Sequence, residues 1–213
     1  MQICPLCDSH NVDVFHQDRR RQYFRCGKCA LIFADPLARL SPEAEKAHYD
    51  LHENNPDDPG YRRFLDRLAA PLLTRLGETP QQGLDFGCGP GPTLSLMLAE
   101  AGHNMAIYDP YFAAHPEVLE TVYDFVTCTE AIEHFYQPAK EWGQLLGMVK
   151  PGGWLGLMTK LATDADAFAQ WHYKNDPTHV SFFSRETFHS LAERDGLDVE
   201  FVGNDVILLR KTQ

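Results

Sequence analysis

Three groups of residues in this chain have the types and spacing to do chemistry. Cys4 and Cys7 form one Cys-x-x-Cys knuckle, and Cys26 and Cys29 form a second. Two knuckles at that separation supply four thiolates, which complete a zinc tetrahedron and leave no open position, so the metal they imply is structural rather than catalytic. The segment is short and no strand-helix unit surrounds either pair, which weakens redox and disulfide readings. Further on, Glu130, Glu133 and His134 stand at i, i+3 and i+4. A helix there would present all three on one face, and carboxylate and imidazole together suit Mg²⁺, Mn²⁺ or Zn²⁺. Between these groups lies Leu84-Asp85-Phe86-Gly87-Cys88-Gly89-Pro90-Gly91. An apolar run there ends in an acid and passes into three alternate glycines, which let the backbone turn sharply and approach a ligand.

The elements that must position these groups follow from periodicity. After the glycines, Leu94, Met97, Leu98 and Ala101 share one face of an expected helix over residues 93–101. Strand, glycine loop and helix N-terminus together make a cradle for a nucleotide-type cofactor. A dinucleotide site wants Gly-x-Gly-x-x-Gly, and here that last position falls on Pro92 or Leu94. Residues 104–108 read as a second strand that ends in Asp109, one strand-helix-strand unit on, where a carboxylate can accept both ribose hydroxyls. Residues 123–128 form an apolar strand suited to a sheet buried on both faces. A helix over 138–149 and the turn Lys150-Pro151-Gly152-Gly153 then lead into a strand over 154–159. Ser184 caps a helix that ends at Gly196, and residues 197–202 and 205–211 form a closing hairpin.

This run resembles the class I S-adenosylmethionine-dependent methyltransferases. The likeness rests on the acid with Gly87, Gly89 and Gly91, the Glu-His segment after the fourth strand, and the Pro-Gly-Gly turn before the fifth. It covers about residues 83–159 and is completed by the C-terminal hairpin. The fold it implies is α/β, doubly wound, with a mostly parallel seven-stranded sheet and a small N-terminal β zinc ribbon. One departure stands out. Only 13 residues separate Asp109 from Tyr123, so the third strand and its helix are reduced, and the family's polar adenine contact is replaced by Tyr111, Phe112 or nearby backbone. The resemblance assigns S-adenosylmethionine to Asp85, Phe86, Gly87, Cys88, Gly89, Gly91, Tyr108 and Asp109, with Cys128, Thr129 and Glu130 at its methionine end.

The Glu-x-x-Glu-His pattern is also similar to the metal ligands of two O-methyltransferase groups, the ubiquinone-biosynthesis enzymes and the small-RNA 2′-O-methyltransferases. In the small-RNA group a later histidine joins the set. His179 holds that place here, as a fourth ligand beside Glu130, Glu133 and His134 or as a general base. Glu133, His134 and His179 are thus the expected catalytic residues, with a second divalent metal as one reading and polar contacts within the loop as the rival. Trp171, His172, Tyr173, Phe182 and Phe183 suggest that residues 161–183 form a lid over an aromatic-walled pocket. The expected function is methyl transfer to an unidentified acceptor, an oxygen of a small molecule. The alternatives are an RNA- or protein-directed methyltransferase guided by the ribbon, or a catalytically dead binding module.

The rest of the chain sets bounds. Its 213 residues divide into an expected ribbon over 1–40, connecting helices over 41–77 that cover the cofactor, and a cofactor-binding domain over 78–213. Helices are expected over 42–51 and 61–76, the second with Pro71 inside it, and Tyr61, Arg62 or Arg63 within reach of the methionine carboxylate. The net charge of −11 is uneven. Residues 1–40 carry six Lys/Arg against four Asp/Glu, and the remainder is strongly acidic. An acidic body is a poor general binder of nucleic acid, although a basic head with Arg19, Arg20 and Arg21 at a hairpin tip offers a contact for phosphate or an acidic partner. No apolar run spans a bilayer and no signal-peptide pattern opens the chain, so a cytoplasmic protein without a membrane partner is expected. Cys88 and Cys128 read as small buried hydrophobes.

Overall fold

The computed structural model describes residues 2–51 and 54–212. The N-terminal part forms three strands, β1 (Val12–Gln17), β2 (Gln22–Cys26) and β3 (Ile32–Ala34). α1 (Pro42–Tyr49) follows, opened by Ser41, whose hydroxyl accepts from Ala44 N. The loop expected after it includes His52 and Glu53, which lie outside the described residues. α2 (Pro59–Leu76) begins at Asp58 and runs through Pro71 as one helix. Its Leu65, Leu68, Leu72 and Leu76 are buried, as their helical spacing requires.

The central part contains β4 (Gln82–Phe86), α3 (Thr93–Glu100), β5 (Asn104–Tyr108), β6 (Tyr123–Thr129), α4 (Pro138–Gly147) and β7 (Val149–Met158). The segment that follows holds α5 (Ala165–Gln170) and the two-residue strand β8 (Ser181–Phe182). α6 (Arg185–Asp195) is closed at its N-terminus by a reciprocal Ser184–Thr187 cap and at its C-terminus by Gly196 in the left-handed region. The hairpin β9 (Leu197–Val202) and β10 (Val206–Lys211) completes the chain.

The main sheet has the order β5-β4-β6-β7-β10-β9. β5, β4, β6 and β7 are parallel, and β10 is antiparallel to both β7 and β9. Among the described residues six strands stand where seven were expected, and the third is absent rather than reduced. Asp109 and Ala113 make a single antiparallel bridge, and a 3-10 turn at Pro116–Glu120 carries the chain straight to β6. Too few residues lie between Asp109 and Tyr123 for both a crossover helix and a strand, so β5 is the edge.

The second sheet has the order β1-β2-β3-β8. The N-terminal strands supply three of its members and the segment before α6 supplies the fourth. Ile32 pairs with Phe182 and Phe33 with Ser181. One apolar cluster joins the sides: Tyr23 and Ile32 pack with Phe168, Tyr173 and Phe182. Of the aromatics expected to wall a substrate pocket, Tyr173, Phe182 and Phe183 therefore form core. Phe168, Phe182 and Phe183 are buried, and Phe168 meets Tyr23 edge to face with centroids 5.1 Å apart. A continuous apolar strand run next to a ribbon with three short strands buries both.

Candidate active site

The glycine loop sits at the carboxyl end of β4. Gly87 and Cys88 donate their N–H groups to Tyr108 O at 2.8 and 3.2 Å, which joins the loop to β5. Gly87 has a φ of +73°, a conformation glycine adopts without a Cβ penalty. Gly91 is needed for a different reason. A Cβ there would lie 1.9 Å from the main-chain oxygen of Asn54, so the segment before α2 crosses directly over the loop. Asp85 is buried below it and accepts from Thr127 Oγ1 at 2.8 Å. Burial raises its pKa to about 7 against the lowering effect of that hydrogen bond.

Asp109 stands where the sequence places it, but its carboxylate is heavily engaged by main chain. Oδ1 accepts from Tyr111 N at 2.8 Å and Phe112 N at 3.1 Å, and Oδ2 accepts from Gly89 N at 3.1 Å. The acid thus caps the turn that replaces the third strand and ties it to the glycine loop. Tyr108 packs against Phe86 with ring centroids 5.2 Å apart. Cys88 and Cys128 are both buried, and burial pushes the Cys88 thiol up to about 12 and Cys128 well above its usual value. Neither is a thiolate nucleophile.

A cavity of about 810 Å³ opens from the glycine loop toward residues 129–137. The stretch expected to be helical is a 3-10 turn at Ile132–His134, preceded by Glu130 at a φ of +48°. A left-handed carboxylate residue is uncommon. It brings Glu130 and Glu133 to the same side without a helix. Glu133 is 1% exposed. Its Oε1 accepts from Tyr173 OH at 2.5 Å and its Oε2 from Thr159 Oγ1 at 3.0 Å. Glu130 Oε2 lies 3.4 Å from the same tyrosine hydroxyl, while Glu130 Oε1 and Thr129 Oγ1 are buried without a partner. Both carboxyls are pushed above the usual range, Glu130 by burial and then by Glu133, and Glu133 by burial despite its two hydroxyl donors.

Glu133, His134 and His179 come together, each offering one ligand atom within 4.8 Å of the others. Glu130 is not part of that trio. His134 holds Nδ1 3.2 Å from Thr178 O, and His179 holds Nδ1 2.8 Å from Tyr173 O. A carbonyl only accepts, so each of these bonds requires the proton on Nδ1 of the neutral ring. A main-chain acceptor on the far nitrogen is how metal-binding histidines are oriented. Burial, and then the charge of His134, lowers the His179 pKa to about 3, so protons do not compete for its Nε2 near neutrality.

The remaining walls were not legible as site residues. Glu45 of α1 is buried and accepts from Tyr49 OH at 2.9 Å and Tyr111 OH at 3.1 Å. Tyr49 meets the His134 ring edge to face at 5.2 Å. α1 and Asn54 therefore cover the cavity, whereas the 161–183 segment contributes Tyr173, Asp176 and His179 to this region from one side. Tyr61 lines the cavity. Arg62 turns away to Glu100.

The four N-terminal cysteines also converge, with Cys4 and Cys29 Sγ atoms 3.5 Å apart and Cys7 and Cys26 Sγ atoms 3.5 Å apart. Lys28 N and Cys29 N donate to Cys26 Sγ at 3.3 and 3.5 Å. The arrangement can hold a metal ion.

Comparison with known proteins agrees with this geometry. The model of a family described as a methyltransferase domain matches residues 61–201. A ubiquinone biosynthesis O-methyltransferase of Serratia proteamaculans (strain 568) is 37% identical over 71 residues, 33% of this chain and 30% of that protein. The one from Shewanella pealeana (strain ATCC 700345 / ANG-SQ1) is 30% identical over 156 residues, 62% of this chain and 58% of that protein. This chain thus spans less than two thirds of either. Among solved structures, the 1,6-didemethyltoxoflavin-N1-methyltransferase of Burkholderia thailandensis, bound to 1,6-didemethyltoxoflavin and S-adenosylhomocysteine, superposes with a TM-score of 0.56 at 15% identity, over 94% of this chain and 100% of that one. The magnesium protoporphyrin IX methyltransferase of Synechocystis PCC 6803 with bound SAH gives 0.54 at 13% identity, over 79% of this chain and 94% of that one. The fold is that of the class I methyltransferases.

Proposed function

We propose, from the premise that this chain belongs to the methyltransferase-domain family, that it transfers a methyl group from S-adenosylmethionine to an oxygen of a small molecule. The observation that carries this reading is the single cavity shared by the glycine loop and the Glu133, His134, His179 trio. The glycine loop fits the cofactor. Gly91 lies under Asn54 so closely that no side chain fits, and the partnerless Glu130 Oε1 and Thr129 Oγ1 suit the polar methionine end. Asp85, Phe86, Gly87, Cys88, Gly89 and Gly91 would hold it, with Tyr108 and Asp109 at the ribose and Cys128, Thr129 and Glu130 beyond. When bound, S-adenosylmethionine supplies a methyl group already activated on a sulfonium.

The protein then has to align the acceptor and exclude water. α1 and the Asn54 segment close one side, and Tyr49 and Tyr111 shape the opening around Glu45. Glu133, His134 and His179 fit a divalent cation by donor set and by their fixed tautomers. Such a cation would hold an acceptor oxygen and lower its pKa. The acceptor hydroxyl, its pKa so lowered, releases its proton to solvent before transfer. In the N-terminal sheet, Cys4, Cys7, Cys26 and Cys29 would hold a structural zinc. Two curated relatives are named ubiquinone biosynthesis O-methyltransferases, which supports oxygen and a small molecule. No helix among the described residues is long and apolar enough to cross a membrane.

Calorimetry with S-adenosylmethionine tests the reading. Binding in the micromolar range is expected, and none at about millimolar would overturn it. Transfer of labelled methyl to a panel of small hydroxyl compounds tests the acceptor class.

A further inference from the structure

Part of the arginine-rich hairpin tip is turned inward, onto the loop before β8. Arg21 Nη2 donates to Lys174 O at 2.5 Å and to Asp176 O at 2.7 Å, and Nη1 donates to Pro177 O at 3.3 Å. Its Nε donates to Tyr23 OH at 2.8 Å, and that hydroxyl donates in turn to Lys174 O at 3.0 Å. Arg20 Nη1 adds Asn175 O at 3.0 Å. Lys174, 4% exposed, sends its ammonium back to Asp18 Oδ2 at 2.6 Å. A guanidinium is a rigid planar fork of five donors, and here one fork gathers three main-chain carbonyls of a loop that has no regular partner strand until β8.

Those carbonyls flank the residues that build the candidate site. Tyr173 immediately precedes the clamped stretch, its hydroxyl bonds Glu133 and its own carbonyl receives His179 Nδ1. His179 follows the stretch by two residues. Beyond it, Val180 N donates to Glu133 O at 2.8 Å and Val180 O accepts from Ala34 N at 2.9 Å, so β3 touches the turn that carries Glu133 through one residue.

We propose that Arg21 is a positioning residue for this site: its guanidinium fixes the 173–179 loop so that Tyr173 stays on Glu133 and His179 stays beside Glu133 and His134 with its Nδ1 on Tyr173 O. The N-terminal sheet is on this account a support behind the reaction site and not a docking head. The inference deepens the methyl-transfer reading, and its principal test stands apart from turnover.

That test is ring ¹⁵N NMR of the full-length protein labelled at histidine. The unsubstituted protein is expected to show His179 in one tautomer, protonated at Nδ1. In Arg21→Met the His179 signals shift toward the average of two tautomers. Mn²⁺ affinity, followed by its electron paramagnetic resonance signal, falls about tenfold. S-adenosylmethionine affinity and the metal content of the four cysteines stay unchanged, a split that a general loss of stability would not give. Millimolar guanidinium restores part of the Mn²⁺ affinity. An unchanged His179 tautomer in Arg21→Met overturns the proposal. If that protein does not fold, Tyr23→Phe removes one anchor while keeping the ring, and the same shift at smaller amplitude is required of it. Should the unsubstituted protein bind no Mn²⁺, the divalent-cation assignment fails, and the tautomer alone decides the role of Arg21.

Discussion

His134 and His179 meet edge to face with ring centroids 4.7 Å apart, each with its Nδ1 held on a main-chain carbonyl from the other's segment or its own. Two imidazoles so close and so oriented share a tautomer. They suit a cation as third partner with Glu133 better than a proton shuttle. Substituting His134→Ala should then lower Mn²⁺ affinity by at least about tenfold and abolish most turnover. A chelator too mild to strip thiolate-bound zinc should copy the loss. Turnover untouched by both treatments would leave the trio a wall of the pocket only.

Gly91 and Gly143 separate two consequences of adding the same methyl group. At Gly91 the new Cβ collides with the Asn54 main chain. The covering segment must move, and S-adenosylmethionine affinity should fall by at least about tenfold, or 1.4 kcal/mol. Gly143 is an exposed position within α4 with nothing within 4 Å of a built Cβ. Gly143→Ala should stabilise by about 0.5–1 kcal/mol through helix propensity and raise the Tm by a few degrees. Paired calorimetry reads both, and equal cofactor affinity in the two variants would contradict the first.

Cys4→Ser should lose the ribbon metal by elemental analysis. Because Cys4, Cys26 and Phe33 share one apolar cluster with Phe183 and Phe188, the loss should not confine itself to the N-terminus. Scanning calorimetry should show one transition at lower temperature. A two-step profile, with the main transition unmoved, would mean that the two sheets unfold independently.

The Asp18–Lys174 pair gives a pH test. Burial works against the Asp18 carboxylate, but the Lys174 hydrogen bond and the Arg20 and Arg21 amides outweigh it and hold its pKa well below the usual range. A depressed acid adds stability above its unfolded pKa of about 4 and loses it as pH falls toward the folded value. Asp18→Asn leaves the nearly buried Lys174 without its counter-charge, a change of about 3 kcal/mol or roughly 6–12 °C in Tm. The gap between the proteins should be full at pH 7 and narrow steadily below pH 4. A constant gap across that range would remove the pair from the account.

What the sequence discloses depends on how local the cause is. The glycine loop, Asp109 and the cysteine knuckles were legible because each is fixed by its own few residues: a turn after a strand, an acid at a strand end, two thiols on one tight turn. The missing third strand was legible only as crowding between Asp109 and Tyr123, and the structure resolves it as a cap on Asp109. The Glu130–Glu133 arrangement looked helical because i and i+3 also coincide on a 3-10 turn. Aromatic residues at 182 and 183 read as pocket walls, since nothing in their own segment reveals that Tyr23 and Phe24 lie across from them. Arg21, Glu45 and Tyr49 were opaque for the same reason: their partners are far along the chain, and a surface arginine or a glutamate on a short charged helix carries no periodic mark.

The pairing of β3 with β8 also sets an order on synthesis. The first three strands leave the ribosome early, but the edge of β3 stays open until residues 181 and 182 have been made, with the whole glycine-loop region emerging between them. Contacts so distant in sequence form late, and an open strand edge invites pairing with other chains. The nascent N-terminus must therefore wait, guarded by the charges at its tip, and the last pairing to close on it is the one that brings His179 into place.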